Sequence, residues 1–254
     1  MRHALVTAGS KGLGKKVCEH LLKEGFRVSV NYRSDETVVH ELKKEWEQYR
    51  DQIVFLQGDV TKKSDIVQLV HEATQTFGPI DTLINNAGPY IFERKKLVDY
   101  SDDEWYDMVE GNLSAVFHLV KFIVPSMRER KFGRIITYGF QGANSAPGWI
   151  NRSGFSAAKV GLVSLTKTLA YEEAEHGITA NMICPGNIVG NMKEATIADA
   201  RKRLDRETPI GRSGTGEDIA RMVSFLCQEN SDMITGAIID VTGGVEVVHR
   251  YLHE

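Results

Sequence analysis

Short apolar runs alternate with longer amphipathic stretches almost from end to end of this 254-residue chain, and no other feature narrows its fold as much. Ala4-Leu5-Val6 is apolar without interruption, as expected of a strand buried on both faces. Gly12 to Glu24 then carries Val17, Leu21 and Leu22 on one helical face. A strand follows over Phe26 to Tyr32, a charged helix over Glu36 to Arg50 and a strand at Ile53 to Leu56. Ser64 to Phe77 places Ile66, Leu69, Val70 and Ala73 at helical spacing, and Leu83-Ile84 is the heart of the next strand. Trp105 to Arg130 holds one or two helices. Strands at Arg134 to Tyr138, Ile178 to Ile183 and Ala237 to Val241 then alternate with helices at Ser156 to His176 and Gly216 to Leu226. This rhythm predicts an α/β fold, a doubly wound parallel sheet of about seven strands with helices on both faces. No linker-like tract, repeat or low-complexity segment interrupts it. Residues 1–254 therefore read as one domain, with Gly186 to Pro209 as an excursion outside the sheet.

Composition excludes several classes. Lys plus Arg is 31 and Asp plus Glu is 34, for a net charge of −3, so no basic field invites nucleic acid. Cys18, Cys184 and Cys227 are odd in number and far apart, which suits free thiols in a reducing compartment rather than a disulfide framework. The eight histidines form no metal spacing; His118 and His176 read as helix-surface or helix-end residues. The apolar run after Met1-Arg2-His3 is too short for a signal-peptide core, and no stretch reaches the ~20 apolar residues of a membrane span. The expectation is a soluble, cytoplasmic protein that engages neither membrane nor metal.

In open parallel sheets, ligands gather beyond the carboxyl ends of the strands. The first such turn, Thr7-Ala8-Gly9-Ser10-Lys11-Gly12-Leu13-Gly14, follows a strand and opens a helix. Glycines let the backbone approach a diphosphate there, and free N–H groups at the helix start attract its charge. The tip of the second strand, Asn31-Tyr32-Arg33-Ser34, lacks the acid that would accept a ribose 2′-hydroxyl. Arg33 can instead fork onto a 2′-phosphate, with Lys11 as a second cation; Asp35 reads as the cap of the next helix. These features predict NADP(H) rather than NAD(H).

Taken together these residues resemble the short-chain dehydrogenase/reductase family, the single-domain Rossmann oxidoreductases. The family's T-G-x-x-x-G-x-G is matched by Thr7, Gly12 and Gly14, with Ala8 in place of the first glycine. Asp59-Val60 matches its acid-plus-aliphatic pair at the adenine, and Asn85-Asn86-Ala87-Gly88 is its N-N-A-G in full. Asn112 matches the helix asparagine, and Pro185-Gly186, with Ile188 following, matches the segment after the sixth strand. Ile234-Thr235-Gly236 and Val241-Thr242-Gly243-Gly244 resemble its C-terminal motifs. The similarity spans nearly the whole chain and is greatest toward the 3-oxoacyl-acyl-carrier-protein reductase branch. It implies a small-molecule carbonyl or acyl-thioester substrate, with an acyl carrier as one form of delivery, a mobile flap at 187–209, and a homotetramer.

The resemblance fails at the reacting positions. The family's Tyr-x-x-x-Lys reads Phe155-Ser156-Ala157-Ala158-Lys159, and its strand-end serine pair falls on Gly139 and Phe140. Phenylalanine has no proton to give, and the family's P-G-x-x-x-T has Gly190 in place of threonine. Lys159 can still hold ribose hydroxyls, and Asn112 can hold a water. Tyr138 is a candidate replacement acid, because strand alternation sets it on the same face as Phe140, two residues on. Gln141, Asn144, Ser145, Ser153, Ser156 and Tyr90 lie on or near the expected active-site loops. Three readings stand open: a reductase with an altered proton route, a dinucleotide-binding protein without turnover, and a hydride-transfer enzyme acting on a C=C or C=N bond.

Overall fold

The computed structural model describes residues 1–245. Seven strands form one sheet: β1 (His3–Val6), β2 (Arg27–Tyr32), β3 (Ile53–Gln57), β4 (Thr82–Asn85), β5 (Gly133–Tyr138), β6 (Ile178–Pro185) and β7 (Ile238–Val241). Their spatial order is β3-β2-β1-β4-β5-β6-β7. Every neighbouring pair is parallel. The chain starts in the middle, winds outward through β2 and β3, then returns to β4 on the other side of β1. The crevice of such a sheet opens beyond β1 and β4, where the winding reverses. Helices α1 (Gly12–Lys23), α2 (Glu36–Glu45), α3 (Lys63–Phe77), α4 (Asp102–Val109), α5 (Ala115–Arg130), α6 (Ser153–Glu172), α7 (Ile197–Ala200) and α8 (Gly216–Leu226) complete the architecture.

Both faces of the sheet are covered. Ala4 and Val6 point into a cluster with Val17, Leu21 and Leu22 of α1 and Ile219, Ala220 and Val223 of α8. Leu5, between them in sequence, joins Ile66 and Leu69 of α3 and Leu119, Ile123 and Met127 of α5 on the opposite face. The three strand residues are fully buried, which is why their stretch shows no polar alternation. Each fully buried Leu or Ile contributes about 1.5–3 kcal/mol of transfer free energy, so the two layers fix the strand ends that carry the site.

Local differences from the sequence expectation have physical causes. The helix expected over Glu36 to Arg50 ends at Glu45, because Trp46 turns inward to stack on Phe55 and the chain continues as a short 3-10 turn. The stretch Trp105 to Arg130 resolves into α4 and α5, joined by a π-helical turn over Glu110–Ser114. Such wide turns often mark functional positions, and this one carries Asn112. No helix among the described residues is long and apolar enough to cross a membrane.

Candidate active site

The glycine-rich turn links β1 to α1 and is tied to its neighbours through backbone groups. Ala87 N–H donates to Thr7 Oγ1 at 2.9 Å, and the Asn86 amide donates to Thr7 O at 3.0 Å and Ala8 O at 3.1 Å. Asn31 Oδ1 accepts Ala8 N–H at 3.1 Å, while its amide donates to Gly58 O at 2.9 Å. The Asn31 side chain therefore braces the turn from beneath, and its own polar atoms are taken up by the backbone. Gly14 has no room for a side chain: a Cβ would lie 2.5 Å from Ala8 O and 2.6 Å from Asn86 Nδ2. Ala8 sits at φ 48°, a left-handed conformation that explains why the related motif has glycine there. The turn opens directly into α1 at Gly12, and a helix start of this kind is suited to a diphosphate. Ser10 is buried within the turn, and Leu13 packs against the α1/α8 cluster.

The adenosine end is partly neutralised. Asp35 caps α2, accepting Val38 N–H at 3.2 Å. Its carboxylate also pairs with the Lys11 ammonium, which holds Asp35 below the usual carboxylate range. Lys11 is thus not the free second cation that the sequence suggested. Arg33 is exposed and has no ion-pair partner among the described residues. Tyr32 and Ser34 flank it at the end of β2. Asp59 Oδ1 accepts from Thr61 N–H and Oγ1, at 3.0 and 2.8 Å, while Val60 packs into the core. Pro185 ends β6; Gly186 lies against Thr242, and Ile188 is buried in the α1/α8 cluster.

Asn112 and Lys159 meet at Gly88, beyond the end of β4. A Cβ on Gly88 would collide with Asn112 Oδ1 and lie 3.5 Å from Lys159 Nζ. The Asn112 amide donates to Pro89 O and Met108 O, both at 3.0 Å, so its Oδ1 is fixed in direction; that oxygen is buried without a partner. Lys159 is 4% exposed and has neither an ion pair nor a hydrogen bond among the described residues. Burial pushes its ammonium down to about 8. A desolvated lysine and an orphaned amide oxygen on one wall of the crevice are groups built to meet a polar ligand.

Beside them the site is aromatic. Phe155, one turn before Lys159 on α6, packs edge-on against Tyr90 at 5.0 Å and against Trp149 at 6.0 Å. Phe140 stacks obliquely on Trp149 at 5.0 Å, and its ring centre is 6.2 Å from that of Phe155. Lys159 Nζ stands 5.7 Å from the Phe155 ring centre. Arg152 clamps the loop that carries Tyr90, donating to Tyr90 Oη at 2.5 Å and to Phe92 O and Glu93 O. The loop hydroxyls are engaged locally: Ser145 Oγ donates to Gly142 O and Ser156 Oγ to Ser153 O. Asn144 accepts from Lys167. Trp149 and Arg152 escaped sequence reasoning, since neither belongs to a spaced motif.

Tyr138 does not join this group. It lies in the α1/α8 cluster with Ile136 and Ile183, whereas Phe140 packs with Leu162 and Met182 on the α6 side. The alternation that was to align them holds only within the strand: β5 ends at Tyr138, and Phe140 lies beyond it. Burial raises the Tyr138 phenol well above its ordinary range, and its oxygen has no partner. It is a core residue on the far face, not a proton donor to the crevice.

A parallel seven-stranded sheet with a glycine-rich turn at its winding reversal defines a dinucleotide-binding fold of the Rossmann type. The protein-family model described as enoyl-(acyl carrier protein) reductase matches residues 7–246. A Bacillus subtilis (strain 168) protein provisionally named an oxidoreductase, YtkK, is 65% identical over 251 residues, covering 98% of each chain. The 3-oxoacyl-[acyl-carrier-protein] reductase FabG of Staphylococcus epidermidis is 36% identical over 250 residues, covering 96% of this chain and 98% of its own. A solved Bacillus thuringiensis structure, provisionally described as a 3-oxoacyl-reductase, superposes with a TM-score of 0.92 at 62% identity, covering 98% of this chain and all of that one. The chain belongs to the short-chain dehydrogenase/reductase family and is an oxidoreductase of the 3-oxoacyl-reductase-like kind.

Proposed function

We propose that the protein is an NADP(H)-dependent reductase of a carbonyl on a small molecule or 3-oxoacyl thioester, free or on an acyl carrier, with an altered proton route. The observation that carries this reading is the pairing of Lys159 and Asn112 over Gly88, each with a polar group left for a ligand. A nicotinamide cofactor, when bound, supplies the hydride. In this reading the turn from Thr7 to Gly14 seats the diphosphate, Lys159 holds the ribose, and Arg33 meets the 2′-phosphate. Asp35, already engaged by Lys11 and Val38, is a poor acceptor for a ribose 2′-hydroxyl, which favours NADP(H). Neither Phe155 nor Tyr138 can deliver a proton to the crevice. Asn112 and Lys159 hold the water that takes the place of the missing hydroxyls. The flap spans 187–209. Phe117, 50% exposed on α5, and Tyr171, 81% exposed on α6, favour assembly into a homotetramer, which we place in the cytoplasm.

A second reading, dinucleotide binding without turnover, is favoured by the rings of Phe140 and Phe155, which stand where the family's two hydroxyls would be. The two readings separate in one experiment: NADPH and NADH titrations, followed by NADPH oxidation with a short 3-oxoacyl thioester and with its 2-enoyl counterpart. Binding of NADPH at least tenfold tighter than NADH, with slow oxidation on the 3-oxo substrate alone, supports the reductase. The rate should lie roughly 10²–10⁴-fold below that of an enzyme bearing the tyrosine. Tight binding with no oxidation moves the second reading ahead, and turnover of the enoyl thioester alone replaces carbonyl reduction by C=C reduction.

A further inference from the structure

Beyond β6 the chain leaves the sheet through Gly190, which adopts φ +55° with open space around its missing side chain. The related motif has threonine here; glycine makes the position a natural hinge. The next residues fold back onto α1. Met192 packs against the α1/α8 cluster, and the Lys193 stem lies 3.6 Å from where a Gly12 Cβ would be. Glu194 Oε1 then accepts the Gly12 N–H at 2.8 Å, while Oε2 lies 3.6 Å from Lys15 Nζ. A flap carboxylate thus takes the first amide of the helix that the dinucleotide reading assigns to a diphosphate. The attraction is the same for both anions, an exposed N–H at a positive helix end.

We propose that Glu194 is a latch: it holds the flap against the glycine-rich turn in the free protein, and the dinucleotide diphosphate must displace it. The inference rests on the dinucleotide reading above. Cofactor entry and flap release then become one event. The carboxylate lowers affinity twice, by occupying a donor and by placing a like charge beside the incoming anion. Its side chain is 42% exposed, so solvent screens part of the effect.

The test is a titration of NADPH into the intact chain, the Glu194→Gln variant and a Glu175→Gln control, read by fluorescence or calorimetry. Glu175 is exposed and carries the same charge change at a position outside the crevice. Glu194→Gln should bind about two- to fivefold tighter, the range expected for one charge at a helix N-terminus, and the control should match the native chain. Hydrogen exchange supplies a second readout: NADPH should slow exchange over residues 9–14 and quicken it over 190–196. Equal or weaker binding by Glu194→Gln while the native chain binds normally overturns the latch alone. Slower exchange over 190–196 also overturns it, because the flap would then close over the cofactor rather than yield to it. If the native chain binds neither NADPH nor NADH, the dinucleotide reading falls and the latch with it.

Discussion

The two walls of the crevice are built on opposite principles. On the β1–α1 side each braced polar group has a partner: Thr7, Asn31 and Asn86 are bonded to backbone, and Gly14 leaves no space for variation. On the α5–α6 side Asn112 Oδ1 and Lys159 Nζ are left without partners, and a packed group of aromatic rings lies beside them. A satisfied wall is rigid and supports its own geometry. An unsatisfied wall costs stability, because buried polar groups without partners forgo their hydration. In the proposed reading, recognition of the dinucleotide belongs to the first wall and alteration of the chemistry to the second. In that reading only the second differs from the family motif at positions beside the reacting atoms.

The largest expected effect comes from changing the second wall. Phe155→Tyr adds a hydroxyl to a ring already held by Tyr90 and Trp149, with the Lys159 ammonium beside it. A general acid is typically worth about 10²–10⁴-fold. Carbonyl reduction by Phe155→Tyr should therefore rise by that order, while the NADPH dissociation constant stays within about twofold, since the turn is untouched. Steady-state kinetics with a short 3-oxoacyl thioester measures it. No gain would mean that the Phe140 and Trp149 rings bar the substrate itself, and the contrast between the walls would then be one of access rather than of proton supply.

The strands of the parallel sheet and the helices on both its faces were legible because apolar periodicity reports burial directly, as Ala4 to Val6 and the α1 face demonstrate. The first wall was legible for a related reason. Its residues lie in short contiguous motifs, whose spacing is a record of close backbone approach. The second wall was less so. The π-helical turn at Asn112 has no periodic signature, since one wide turn inside a long apolar stretch looks like the helices on either side. Tyr138 was misplaced because alternation holds only within a paired strand, and the pairing ends at that residue. Glu194 was invisible as a contact: its partner Gly12 is 182 positions away, and nothing in a charged flap distinguishes one carboxylate from its neighbours. Motifs encode local geometry, whereas tertiary contacts of single side chains are set by packing that only the folded chain reveals.

The first wall offers the next test. Gly14→Ala forces a methyl group within 2.6 Å of two polar atoms, so the turn or Asn86 must shift. Overpacking of this kind costs about 1–3 kcal/mol. Because the strained groups are those that shape the anion seat, NADPH binding should weaken at least tenfold, with a smaller loss of melting temperature. Calorimetric titration beside thermal unfolding checks it. Unchanged binding would show that the seat tolerates displacement and that the rigidity ascribed to this wall is not needed for recognition.

The smallest effect concerns stability and separates the walls by sign. Lys159 titrates near 10.5 when exposed in the unfolded chain and at about 8 when folded. Between those pH values the unfolded chain holds a proton that the folded chain lacks, so stability rises with pH across that window. Below about pH 8 both states are protonated and the full cost of burying the charge is present, at most about 3 kcal/mol. Lys159→Met removes the charge and keeps the apolar stem. In the cofactor-free protein it should stabilise the fold by about 1–3 kcal/mol at pH 7, and the advantage should shrink steadily as pH approaches 10.5. Urea unfolding at pH 7 and pH 9.5 measures both halves of the prediction. A variant less stable than the native chain at pH 7 would mean that Lys159 has a folded-state partner, and the second wall would then be as well satisfied as the first.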